Sequence, residues 1–129
     1  MAASKSTYLR NIAYNSILKN TAFTGPVTLY MSLHTATPGL TGANEITGNA
    51  YARTAIAFGA PAGGSGSNSG AVTFPAPTPA AQGTATHFGV WDAATVGNLL
   101  YQDALTAPVA TSIGVAVSFP IGNVTVAET

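Results

Sequence analysis

Cysteine is absent from the 129-residue chain, which excludes a disulfide framework, a thiol nucleophile and a cysteine-ligated zinc site. Charge is nearly as scarce. Four basic and four acidic residues make up 6% of the chain, where globular proteins average roughly 25%. No apolar run reaches the ~18 residues of a membrane-spanning helix. The start, Met1 to Lys5, is not followed by the roughly 7–15-residue apolar stretch of a signal peptide. These absences predict a chain made in a cytoplasm and not inserted into a membrane.

Scarcity of titratable groups also narrows the chemistry. The two histidines are His34 and His87, and the four acids are Glu45, Asp92, Asp103 and Glu128. A catalytic histidine needs a nucleophile within hydrogen-bond reach and a third group to orient it. No Gly-x-Ser-x-Gly elbow is present. Asp92 and Asp103 flank a predicted hairpin, and aspartate is common at such strand ends because it caps turns. Calcium needs about six oxygen ligands, and the acidic spacing for that is missing. Gly63-Gly64-Ser65-Gly66 lacks the Gly-Lys-Ser/Thr ending of a phosphate loop. The expectation is no catalytic residue, no metal and no cofactor. Three of the four basic residues, Lys5, Arg10 and Lys19, fall in the first twenty positions. That is too thin a footprint for nucleic acid.

What is present is apolar. Hydrophobic residues are 47% of the chain, so low charge does not mean disorder. The remaining surface is Thr, Ser, Asn, Gly and Ala, which is cheap to desolvate. A net charge of zero does not keep copies apart. Both facts point to a protein packed against neighbours.

The hydropathy pattern predicts one helix and then strands. Leu9, Ile12, Ala13, Ser16 and Ile17 share one helical face, and Tyr8 extends it. Ser4 or Ser6 can cap the start, and Asn20 with Gly25-Pro26 closes the segment. From Pro26 the period becomes two. Residues 27–34 alternate as a half-buried strand, and further strands are read at 51–58, 71–74, 84–91, 99–105, 113–119 and 124–126. Thr35 to Gly48 reads as a long loop, and residues 62–70 as a turn-rich connector. The expected fold is mainly β: an antiparallel, jelly-roll-like β-sandwich of about seven strands with one N-terminal α-helix. Residues 1–23 form a helical arm and residues 24–129 the sandwich domain.

Several segments resemble a family of small tailed-phage proteins described as tail-fibre-like virion proteins. They are Tyr8-Leu9-Arg10-Asn11 through Phe23, Val27 through His34, Gly48-Asn49-Ala50-Tyr51-Ala52-Arg53 through Ala60, and Thr86-His87-Phe88-Gly89-Val90-Trp91-Asp92 with Gly97 through Tyr101. The Tyr51-Ala52-Arg53 and His87-Phe88-Gly89 pieces are the most specific. Residues 75–79 and 110–112 depart from the pattern. The resemblance implies a virion structural protein and carries over no catalytic residue. Two assignments stay open, a short tail fibre touching host surface glycans and a trimeric capsid decoration (cement) protein. A glycan-active enzyme is the third and weakest. The expected partners are further copies of the chain, as a homotrimer, and other virion proteins such as major capsid or tail proteins. The expected assembly contacts are Tyr8, Leu9, Ile12, Ile17, Tyr51 and Arg53, with Tyr30, Trp91 and Tyr101 as a weaker glycan surface.

Overall fold

Alternation in the central strands produces a five-stranded antiparallel sheet in the computed structural model, which describes residues 4–128. Its members are β1 (Ser4–Lys5), β2 (Leu29–His34), β3 (Thr54–Ile56), β6 (Thr84–Trp91) and β7 (Leu99–Ala110), in the order β1-β7-β6-β2-β3. Two further antiparallel pairs join β4 (Ser65–Ser67) to β9 (Thr125–Ala127) and β5 (Val72–Thr73) to β8 (Ser118–Phe119). The one helix among the described residues is α1 (Thr7–Leu18). The protein is therefore mainly β with an N-terminal helix, consistent with a sandwich. Residues 1–3 of the predicted arm and residue 129 lie outside the described residues.

Register explains the core. Leu33 lies opposite Phe88, and Met31 opposite Val90, so these four share one face of the sheet. They pack with Ile56 and with Val72, Phe74, Val117, Phe119 and Val124 from the two small pairs and their connections. Phe74 meets Phe119 edge-on at 6.1 Å between ring centroids and stacks with Tyr51 at 6.2 Å, both geometries favoured by aromatic quadrupoles. Asn68, buried between the small sheets, donates to the carbonyls of Gly70 and Pro120 and accepts from the Val124 amide. Its side chain replaces ladder bonds that the short strands cannot supply.

Strand β2 departs from the half-buried expectation. Met31 to His34 are all buried, on both faces. The second face is covered because the loop after His34 folds back on it. Thr35 N–H donates to Asn44, and Ile46 N–H donates to Leu33. Gly42 lies over the Trp91 ring with φ of +92°, where a Cβ would come within 2.4 Å of Cη2. Only glycine fits that approach.

Other differences trace to short or bulged elements. Strands β1 and β4 carry Ser-Lys and Ser-Gly-Ser, and neither shows an apolar period. The predicted strand 113–119 is regular only at Ser118–Phe119. A turn at 112–115 interrupts it, with Gly114 at φ +76° and its N–H on the Pro77 carbonyl. Strand β7 runs five residues past its predicted end. It tolerates Pro108 because β1 pairs with it only at Tyr101 and Gln102, leaving the later edge free of donors to lose.

Candidate assembly surface

An extended side-chain network is built around the Tyr51-Ala52-Arg53 segment. Tyr51 and Arg53 are two residues apart on an extended chain and point the same way. Both reach Glu45, which the loop brings beside His34 as an isolated bridge. Arg53 donates from Nε to Glu45 Oε2 at 2.7 Å and from Nη2 to Oε1 at 2.9 Å. Its Nη1 donates to the carbonyls of Ala93 at 3.1 Å and Val96 at 2.7 Å, in the turn between β6 and β7. The guanidinium lies 3.6 Å from the centroid of Trp91. One side chain thus ties β3, the loop and the hairpin tip together. Tyr51 Oη donates to Glu45 and accepts from the Leu33 amide. Burial pushes its phenol above the ordinary tyrosine value.

The network continues beneath the indole. Trp91 Nε1–H donates to Ser32 Oγ at 2.7 Å, and Ser32 Oγ lies 2.7 Å from His34 Nε2. His34 Nδ1 lies 2.7 Å from the Ala43 carbonyl. A carbonyl only accepts, so Nδ1 carries the proton and Nε2 accepts from the serine hydroxyl. Burial lowers the His34 pKa below its ordinary value, against the opposing pull of the Ala43 carbonyl and Glu45. A serine on a histidine has the outline of a nucleophile and base. Here both side chains are fully buried, and the group orienting the imidazole is a carbonyl where a hydrolase uses a carboxylate. A Cβ on Gly89 would stand 2.7 Å from Ser32 Oγ, so backbone closes the remaining side. The arrangement is a structural lock.

His87 lies opposite His34 in the register, half-buried, with Nδ1 2.9 Å from Thr86 Oγ1. Asp92 accepts from the Asn98 amide and side chain and so closes the hairpin. Asp103 pairs with Phe88, four residues back along β6 from Asp92, about 13 Å at the strand rise. The two acids do not converge. Among the described residues there is no group of three His, Asp or Glu side chains able to hold a metal.

The nine contact residues singled out in the sequence fall into two groups. Tyr51, Arg53 and Trp91 face inward, and Trp91 is 6% exposed beneath Arg53 and Gly42. Tyr30 is half-buried opposite Trp91 and Ala55. Tyr101 donates to Glu128, which also pairs with Lys5. Burial pushes the Tyr101 phenol upward, while Lys5 and Tyr101 hold the Glu128 carboxyl below its usual range against burial.

The second group lies on α1. Ser6 caps it by accepting from the Leu9 amide, and its own N–H donates to Leu100. Thr7 N–H reaches Leu40. Beyond that anchored first turn, no residue of the helix is buried. Leu9 and Ile12 are half-buried and Tyr8 is exposed, while Tyr14, Ile17 and Leu18 are 59%, 80% and 67% exposed. Of the predicted stripe only Tyr8 and Ile17 are exposed, and Leu9, Ile12, Ala13 and Ser16 are half-buried; the uncovered apolar side lies next to it, at Tyr14, Ile17 and Leu18. A twelve-residue helix gains little from propensity alone and takes its stability from packing.

Residues 4–127 match the family described as Podophage GP4 fiber I protein gp80. The chain belongs to this family. No curated protein matches it. Membership in a phage fibre family makes the chain a structural, tail-fibre-like component of a phage particle, with other virion components as its partners. The fibre-family match spans α1, the Tyr51–Arg53 network and all nine strands, from the first residue of β1 to the last residue of β9.

Proposed function

We propose that this fibre-family protein is non-catalytic and works by packing against further copies of itself, as a homotrimer, and against other virion proteins. The observation that carries the reading is the uncovered apolar side of α1, with Tyr14, Ile17 and Leu18 in solvent on a chain almost devoid of charge. Apolar groups left in water on a surface this cheap to desolvate favour association. The inward role of Ser32 and His34 supports the absence of a reaction, because substrate has no route to either.

Light scattering on the purified full chain tests this. An oligomer is expected, and Ile17→Glu should shift it towards monomer while leaving the β circular-dichroism signal unchanged. A wild-type monomer at high concentration refutes the packing reading. One observation favours a capsid decoration role: the described residues form a layered β body and a short helix, with no extended shaft. Hundreds of copies per particle would assign the chain to the head, and a handful to the tail.

A further inference from the structure

Strand β7 carries a large irregularity. Ala104 lies opposite His87 and Val109 opposite Ala85, so residues 105–108 face the single residue Thr86. Extra residues on one strand bend it and re-aim its side chains, and such bulges concentrate at functional sites. Here the bend opens a cavity of about 770 Å³ beside the two-stranded pairs. Its walls include Phe88, Leu105, Val109 and Phe119, and it contains one carboxylate, that of Asp103. No residue of α1 lines this cavity.

The ionic groups of the chain sort cleanly. Glu45 pairs with Arg53, and Glu128 pairs with Lys5. Asp92 is used on Asn98. Asp103 accepts from the neighbouring Ala104 amide and faces no cation among the described residues. Arg10 and Lys19 are exposed, and neither side chain meets an acid among the described residues. Arg10, Tyr14, Ile17 and Leu18 stand at i, i+4, i+7 and i+8, one face of the helix. That face runs about 12 Å, apolar over roughly its last 6 Å and cationic at its N-terminal end. The cavity offers a matching acceptor: Phe88, Leu105, Val109 and Phe119, interleaved with hydroxyl and amide side chains, around one anion.

We infer that the cavity is a socket for α1 of a second copy, with Arg10 of one copy on Asp103 of the next and the Tyr14–Leu18 face against the bulged strand. The inference rests on the self-packing reading and names its acceptor. A guanidinium meets a carboxylate with two parallel hydrogen bonds, and the apolar side chains Phe88 and Leu105 of the wall suit the stem of the arginine. The contact is head-to-tail, since donor and acceptor are different surfaces. Repeating it generates a ring when the rotation closes.

The chain has no cysteine, so introduced thiols report one contact. Asn11→Cys places a thiol beside Arg10, and Thr106→Cys places one at the cavity wall. The two single variants are mixed and oxidised. Mixed disulfide dimers are expected at least tenfold above the yield from either variant alone. Adding Arg10→Glu to the Asn11→Cys chain should remove that excess, and adding Asp103→Arg to the Thr106→Cys chain should restore it. Arg10 is exposed, so its reversal reads the contact even where Asp103→Arg fails to fold. A wild-type oligomer in which Thr106→Cys cross-links to itself as readily as to Asn11→Cys overturns the socket and leaves self-packing intact. A monomeric wild type overturns both. Protection of Thr106→Cys from alkylation by an added oligosaccharide, but not by wild-type protein, assigns the cavity to a sugar and overturns the inference.

Discussion

Replacing Arg53 with alanine removes more than an ion pair. The side chains of Arg53 and Glu45 are 8% and 18% exposed, so the remaining carboxylate stays largely out of water with Tyr51 as its hydrogen-bond partner. The carbonyls of Ala93 and Val96 lose their arginine donors, and Trp91 loses the cation above its ring. Breaking one side of a buried pair costs about 3–5 kcal/mol. For a chain of this size each kcal/mol moves Tm by roughly 3–4 °C, so the expected fall is about 10–20 °C. The chain has a single tryptophan, and its emission should shift to the red as water reaches the ring. Thermal melts followed by that emission therefore read both effects at once. Arg53→Lys should recover part of the loss, since it keeps the charge but not the bidentate fork. A fall of Tm under about 2 °C for Arg53→Ala, less than the shift for 1 kcal/mol, with unchanged emission, would show that the network does not hold the loop to the hairpin.

Acid should destabilise the fold through His34. Its folded pKa lies below the ordinary value of about 6.5, so the unfolded chain binds the proton more tightly. Stability is then full above pH 6.5 and falls as pH drops from there towards the folded value. Urea titrations across that range check it, and His34→Gln should flatten the slope; an equally steep slope in the variant counts against the assignment. Gly42→Ala combines a positive φ with a Cβ driven into Trp91. It is expected to cost about 2–4 kcal/mol through strain and overpacking, and denaturant midpoints that match the wild type would refute the close approach.

Period-two alternation made β2 and β6 readable, because Leu29, Met31, Leu33 and Phe88, Val90 must all reach one core. It failed where strands are held by the backbone alone. Ser4–Lys5 and Ser65–Ser67 have no apolar face to betray them. Ile113 and Val115 alternate correctly yet stand in solvent, since the Gly114 turn takes them off the sheet before Val117. Burial of the second face of β2 depends on a loop folding back, which no local period encodes. The same limit applies to the site. Tyr51 and Arg53 were legible as special residues, but their inward direction follows from Glu45, six and eight positions earlier on that loop. The cavity at Asp103 needs a register shift between β6 and β7, and register is set by pairing across the sheet. The helix was legible in its cap and its stripe, and the exposed apolar side beside that stripe, at Tyr14 and Leu18, was not.

Lys5, Tyr101 and Glu128 fasten both ends of the described chain to the same strand. The mechanical consequence follows from the connectivity. Tension applied between the two ends passes through the clasp and short-circuits the sandwich, so the core carries none of the load until that small cluster opens. A force entering through α1 takes a different route, through the first turn of the helix onto Leu100 in the central sheet and Leu40 in the loop that covers it.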